Sequence, residues 1–346
     1  MGDACGIGPE ILVRLWVAES PQGLVLGCPA VMARAVAIVR AADGRKEGPH
    51  LEVVALSQPG DWATLGAGQM GVWAPPGLPA DLIEAPLGQV DRRAGLAAAA
   101  CIRAAVKLAQ DGGVQGIVTA PLHKEALAAA GESYPGHTEL LQAEGAPPGQ
   151  PPAPVRMMLM NDQLKTVLVT IHVSLRQAIE QVTCASVLET IEITHRSAQQ
   201  WGLSQPRIAV AGLNPHAGEG GLFGDEEIHI IGPAIEEARR LGINAIGPLA
   251  PDTVFMRARH APPEHPGEFD VVVAMYHDQG LIPVKYMGLD HGVNVTLGLP
   301  FVRTSPDHGT AFDLAGTGRS DPSSLIQAMR MAQVLISGRA ERASGR

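Results

Sequence analysis

The chain has 346 residues, enough for one large α/β domain or two lobes with an ample core. It is 46% hydrophobic and 18% charged, and its net charge of −9 argues against nucleic acid or an anionic membrane as a partner. No stretch approaches the roughly 18 apolar residues of a membrane span, and MGDACGIGPE at the start lacks the basic and apolar regions of a signal peptide. Aromatics make up only 3%, so the core must be built from Ala, Val, Leu and Ile. Cys5, Cys28, Cys101 and Cys184 show no paired spacing and fit reduced, buried thiols, which leads to the expectation of a soluble cytoplasmic enzyme.

In chain order, residues 2–10 read as a Gly-rich strand-to-helix turn with Pro9 near a helix start; the spacing is not G-x-G-x-x-G. Residues 40–92 are weakly patterned and no element is placed there. A helix is predicted over 94–110, stopped by Gly112-Gly113, followed by a strand over 116–119. Next come a turn containing Gly136-His137-Thr138-Glu139 and a proline-rich loop over 145–154, read as a surface excursion or hinge. Three short Val/Ile-rich runs follow: 165–171 (KTVLVTI), 207–213 (RIAVAGL) and 270–276 (DVVVAMY). None alternates cleanly, as expected of strands buried on both faces of a parallel sheet. Helices near 186–201, 225–241 and 322–337 complete the α/β alternation.

Each of the three runs leads to a histidine: His172, His216 (after Asn214-Pro215) and His277. Ligands of open α/β sheets bind beyond the carboxyl ends of strands, so three imidazoles delivered to that edge suggest a metal site with an open position for substrate. The alternative is three unrelated hydrogen-bonded histidines. Gly218, Gly220 and Gly221 around His216 would let backbone approach a ligand, or simply make a tight turn. Asp278 and Gln279 beside His277 could orient its imidazole, or Asp278 could cap the following turn. Lys285, Asn294 and Arg303 recur at intervals of about nine and make a reasonable anion pocket, to which His137 and Thr138 could contribute; scattered surface residues are the other reading. Residues 307–318 form a second polar Gly-rich loop, which by pattern alone is only a loop.

As an ordered set, GIGPE, TAPLHKEAL, YPGHTEL, VTIH, GLNPHAGEGG, PDTVF, AMYHDQG, GVNVTLGLPFVRTS and DHGTAFDLAGTG resemble the 4-phosphohydroxy-L-threonine dehydrogenase family of vitamin B6 biosynthesis. GIGPE and HGTAFDLAG also look like loops of isocitrate and isopropylmalate dehydrogenases. The resemblance implies their two-lobed α/β fold, with mainly parallel sheets flanked by helices and an active site in the interlobe cleft. It implies a cofactor lobe of residues 1–125 and 300–346 and a metal, substrate and dimerisation lobe of residues 126–299. His172, His216 and His277 match the family's divalent-metal ligands, one of them reaching the site from the partner subunit of a homodimer. His137, Thr138, Lys285, Asn294 and Arg303 match its substrate contacts, and Asp252 an acidic residue near the site. His308, Gly309, Thr310, Ala311, Phe312 and Asp313 match the loop for NAD or NADP, with the neighbouring loop 316–318 offering further backbone amides. Two departures stand out: the family's first strand would be largely missing or its start misassigned, and Cys5 replaces a small residue or Pro.

The implied reaction is metal-dependent oxidation of the C3 hydroxyl of a small phosphorylated hydroxy acid, 4-phosphohydroxy-L-threonine, followed by decarboxylation to 3-amino-2-oxopropyl phosphate. The metal is expected to be zinc, with magnesium or cobalt as alternatives. Asp252 or Lys285 would take the proton, and NAD or NADP the hydride. Related branches act on 4-phospho-D-threonate or D-erythronate, or on cis-dihydrodiols of aromatic dicarboxylates such as terephthalate. Retention of His137, Thr138, Lys285, Asn294 and Arg303 counts against the diol branch. Phosphate acyltransferases share the general fold, but have no use for three strand-end histidines.

Overall fold

The computed structural model of the protein describes residues 1–44, 51–134, 136–147, 149–288 and 292–343; Pro148 of the expected proline-rich loop lies outside them. The chain forms two compact units, Met1–Ala153 with Arg303–Ala332, and Pro154–Val302 with Gln333–Arg346. No helix among the described residues is long and apolar enough to cross a membrane.

In the first unit, Gln69–Trp73 is the middle strand of a three-stranded parallel sheet, between Val25–Leu26 and Glu52–Leu56. Two of these strands fall in the segment where the sequence placed nothing. QMGVW contains a glycine and EVVAL has no fully buried residue, so neither carries the continuous apolar signal of a buried strand. Helices Gly8–Glu19, Pro29–Ala42 and Arg92–Gln110 supply Ile11, Leu15, Met32, Ala94 and Ala97 to the core of this unit, with Met70 and Leu82. Helix Gly8–Glu19 starts at the proline turn as expected, and Arg92–Gln110 matches the predicted 94–110, with Asp91 capping through the Arg93 amide at 2.8 Å.

That helix also explains where the first unit ends. Gly95 lies so close to helix Lys124–Ala129 that a Cβ there would be 1.9 Å from the Ala126 carbonyl oxygen. Arg103 then bonds Glu132 at 2.7 Å and Glu144 at 2.8 Å. Residues 126–153 therefore stay with the first unit, whereas the sequence reading divided the chain at 125/126.

In the second unit the strands run in the order Val293–Leu297, Arg156–Met160, Lys165–Leu168, Val271–Ala274, Ile208–Ala211, Ala245–Leu249. The last four are mutually parallel and the first two antiparallel to their neighbours. The mixed α/β architecture with a mainly parallel sheet and flanking helices is the one expected. The antiparallel departure has a local cause: Asn161 closes a hairpin between Arg156–Met160 and Lys165–Leu168 by accepting the amides of Gln163 and Leu164, each at 2.9 Å. Ile208–Ala211 and Val271–Ala274 are buried at every position, which is why their Val/Ile runs do not alternate. Helix Cys184–Gln200 and the helix Gly232–Arg240 cover the sheet, contributing Val187, Ile191, Ala234 and Ile235 to a core with Ile208, Val210 and Val273. The helix predicted over 225–241 is different at its start: Glu227–Ile231 forms a π turn before the α-helix begins.

Candidate active site

Lys165–Leu168, Val271–Ala274 and Ile208–Ala211 are adjacent parallel strands, so His172, His277 and His216 follow their carboxyl ends on one edge of one sheet. Past the strands, the chain exits are stitched together. Thr170 donates from its hydroxyl to the Met275 carbonyl at 2.9 Å. Gln279 accepts the Met275 amide at 2.6 Å and donates to the Gly212 carbonyl at 2.7 Å, tying the exit before His277 to the exit before His216. His277 opens the helix His277–Tyr286, which sits so tightly on the strands that a Cβ on Gly280 would be 2.5 Å from Leu168.

The rings of His172 and His277 lie 5.6 Å apart, tilted by 45°. His277 Nδ1 is 2.7 Å from Asp278 Oδ1, which leaves Nε2 as the nitrogen for a ligand. His216 has other company: its Nδ1 is 3.7 Å from Asp252 Oδ2, and its ring stands 6.4 Å from Phe223. Among the described residues of this single chain, no three His, Cys, Asp or Glu side chains converge as a metal-holding group. The structure thus brings together two of the expected ligands, and pairs the third with the expected acidic residue Asp252.

His216 is presented by unusual backbone. His216, Ala217, Gly218, Glu219 and Gly220 all have positive φ, between 45° and 80°, a left-handed turn that non-glycine residues enter only at a cost of about 1–2 kcal/mol each. Its anchor is Glu227, only 4% exposed, which accepts the amides of Leu213 and Asn214 at 2.7 Å each and the Asn214 side-chain amide at 3.0 Å. Glu226 takes the same side-chain nitrogen at 2.6 Å. Sequence reasoning missed both glutamates; the GDEE segment looked like an ordinary helix start.

The first unit holds three of the expected substrate contacts, His137, Thr138 and Arg303. Arg303 is 3% exposed, and its Nη2 donates to Thr119 Oγ1 at 2.8 Å. Burial lowers the guanidinium to about 10, partly offset by the charge of Glu139. His137 opens the helix His137–Glu144, with Thr138 next in its first turn. Burial, and then the Arg303 charge, holds the His137 imidazole well below its ordinary value of 6.5, so it is neutral at pH 7 and can donate one hydrogen bond. His137 and Arg303 thus belong to the same unit, near enough for the guanidinium charge to bear on the imidazole. Lys285, in the last turn of His277–Tyr286, and Asn294, in Val293–Leu297, belong to the second unit.

The two terminal Gly-rich loops meet. The Ile7 amide donates to the Thr310 carbonyl at 3.0 Å, and Phe312 stacks on His123 with centroids 4.7 Å apart and planes within 10°. Buried Glu10 accepts the amides of Gly316 and Gly318 at 2.6 and 2.7 Å. Those two amides, expected to face a dinucleotide, are thereby engaged. Gly309 is open: a Cβ there would meet nothing within 4 Å. His308 Nδ1 is 3.0 Å from the Gly309 carbonyl oxygen, and Ala311 has φ +41°. Burial, and then the charge of Asp3, pushes the Cys5 thiol up to about 12, so the departure at this position introduces no reactive thiolate.

Residues 21–332 match the profile of the family described as pyridoxal phosphate biosynthetic protein PdxA. A 4-hydroxythreonine-4-phosphate dehydrogenase of Beijerinckia indica is 51% identical over 96% of this chain and 92% of its own length. A D-threonate 4-phosphate dehydrogenase of Salmonella typhimurium is 44% identical, covering 97% of each chain. The crystal structure of a 4-hydroxythreonine-4-phosphate dehydrogenase from Klebsiella pneumoniae superposes with a TM-score of 0.84 at 40% identity, over 97% of this chain and 98% of that one.

Proposed function

The chain belongs to the PdxA family of pyridoxal phosphate biosynthetic proteins and is a dehydrogenase; on that premise we propose that it oxidises the C3 hydroxyl of 4-phosphohydroxy-L-threonine, with NAD or NADP as hydride acceptor. The observation that carries the substrate class is buried Arg303, oriented by Thr119 and neighboured by neutral His137. A desolvated guanidinium beside a hydrogen-bond donor suits a phosphate, which accepts charge-assisted bonds from both. Thr138 would add a hydroxyl, and Lys285 and Asn294 are the substrate contacts proposed for the second unit.

His172 and His277, with His216 from one or the other subunit, would hold a divalent ion. The donor chemistry of this chain fits one, since two imidazoles face each other and Asp278 fixes the second nitrogen of His277; nitrogen donors favour zinc or cobalt over magnesium. When bound, the ion supplies Lewis-acid polarisation of the C3 hydroxyl, and the nicotinamide takes the hydride. Asp252, next to His216, and Lys285 are the groups proposed to accept the hydroxyl proton, directly or through water. His308–Asp313 would line the dinucleotide, with Gly309 the position open to close approach. The oxidised product is a β-keto acid that loses CO₂ and takes up a proton at C2, giving 3-amino-2-oxopropyl phosphate.

A homodimer with a shared site is supported by apolar side chains exposed next to two of the histidines: Val173, Leu175 and Ile179 after His172, and Leu222 and Phe223 after His216. Four free cysteines support a cytoplasmic setting. The similarity to the Salmonella enzyme favours 4-phospho-D-threonate as the second reading. Steady-state assays with 4-phosphohydroxy-L-threonine, 4-phospho-D-threonate and a terephthalate dihydrodiol test the proposal. A higher kcat/KM for the D-threonate would install the second reading, and turnover of the diol alone would remove the phosphate pocket.

A further inference from the structure

We infer that Glu227 is the positioning residue that sets His216 for its ligand, by anchoring the left-handed turn on which His216 sits; this rests on the metal reading of the site. All three groups that Glu227 receives are donors: the amides of Leu213 and Asn214 on Oε1 and the side-chain nitrogen of Asn214 on Oε2. Only a carboxylate presents acceptors at both ends; an amide would turn its own NH₂ toward one of these donors, and aspartate is one methylene too short.

The surroundings are shaped around that carboxylate. A Cβ on Gly212 would lie 2.9 Å from Glu227 Oε1, and one on Gly218 would lie 2.8 Å from Oε2. Glycine at both positions is therefore demanded by the carboxylate as well as, at Gly218, by a φ of +80°. Glu227 itself begins the π turn, the kind of helical irregularity that recurs where a side chain must be re-aimed at a functional site. Gly212, at the root of the turn, is gripped by Gln279 from the helix that His277 opens. The backbone carrying His216 is thus held from both sides. Once Glu227 releases the two amides, His216, Ala217 and Glu219 have no reason to stay left-handed, because L residues with a Cβ disfavour that region.

The test uses full-length protein and Co²⁺ as the probe, with absorption spectroscopy for binding, hydrogen exchange for the turn and thermal unfolding for the fold. E227Q is expected to remain folded and to keep its carboxamide oxygen on the Leu213 and Asn214 amides, but to set its NH₂ against the Asn214 side-chain nitrogen. By loosening the turn, it should raise hydrogen exchange across residues 216–220 and bind Co²⁺ about 10- to 100-fold more weakly, the range seen when a ligand's supporting residue is removed. Its kcat should recover at saturating metal, which a general loss of structure would not allow. G218A should reproduce the weakened binding by displacing the carboxylate. A217G, which fits the positive φ without a Cβ, should keep wild-type affinity and serves as the control should E227Q fold poorly. Wild-type Co²⁺ affinity in folded E227Q and G218A would overturn the inference and leave the metal reading standing. Absence of Co²⁺ binding by the wild-type protein would overturn both.

Discussion

Glu10, at the start of the first helix, accepts the backbone amide of Gly318 at 2.7 Å across 308 residues of sequence, and that of Gly316 at 2.6 Å. Glu10 is 2% exposed, and the Gly318 amide it satisfies is buried with it, out of reach of water. Glu10→Ala should destabilise the protein by about 1–3 kcal/mol, the cost of leaving the buried Gly318 amide without an acceptor. Urea unfolding measures this, and a loss below about 1 kcal/mol would contradict the assignment.

Arg303 and Thr119 make a pair whose separation by mutation is informative. Arg303→Ala should raise KM for a phosphorylated substrate by about 10- to 100-fold, the equivalent of losing charge-assisted bonds worth about 1.5–3 kcal/mol. Thr119→Val should raise KM less, with kcat nearly unchanged, and Thr119→Ser should restore it. Wild-type kinetics in Arg303→Ala on that substrate would contradict the phosphate role.

His172→Ala and His277→Ala should each lose bound metal and turnover together, because the two imidazoles at 5.6 Å are proposed to act on the same ion. Metal content by atomic absorption, measured beside activity, checks this. Full metal content in either variant would dissociate that histidine from the ion.

His137 links stability to pH. Its imidazole is held below 6.5 in the folded chain, so below that pH the unfolded chain binds a proton that the folded chain does not. Stability contributed by neutral His137 is present above about pH 6.5 and falls as the pH drops toward its folded value. The slope is at most about 1.4 kcal/mol per pH unit for one proton. Asp3, whose carboxyl is raised by burial, works in the opposite sense, so the comparison to make is wild type against His137→Asn. The variant should lose less stability between pH 7 and about pH 5; identical slopes would contradict the shift.

The sequence by itself determined the α/β class, the long Ala-rich helix and the three histidine-bearing strands. Each of these is written in short-range pattern: Val/Ile runs for strands buried on both faces, and Asp91 and Gly112 at the ends of Arg92–Gln110. The motifs also singled out Asp252 and Gln279 near the histidines. Only the tertiary structure decided how these parts meet. Strands Glu52–Leu56 and Gln69–Trp73 are made by their parallel pairing more than by their composition, and Arg156–Met160 by a hairpin that Asn161 closes. The left-handed turn at His216 exists because Glu227 reaches back from 13 and 14 residues later, and the engagement of Gly316 and Gly318 because Glu10 reaches them from the opposite end of the chain. These are contacts between donors and acceptors far apart in sequence, whose partners are chosen by packing, and no local periodicity records them.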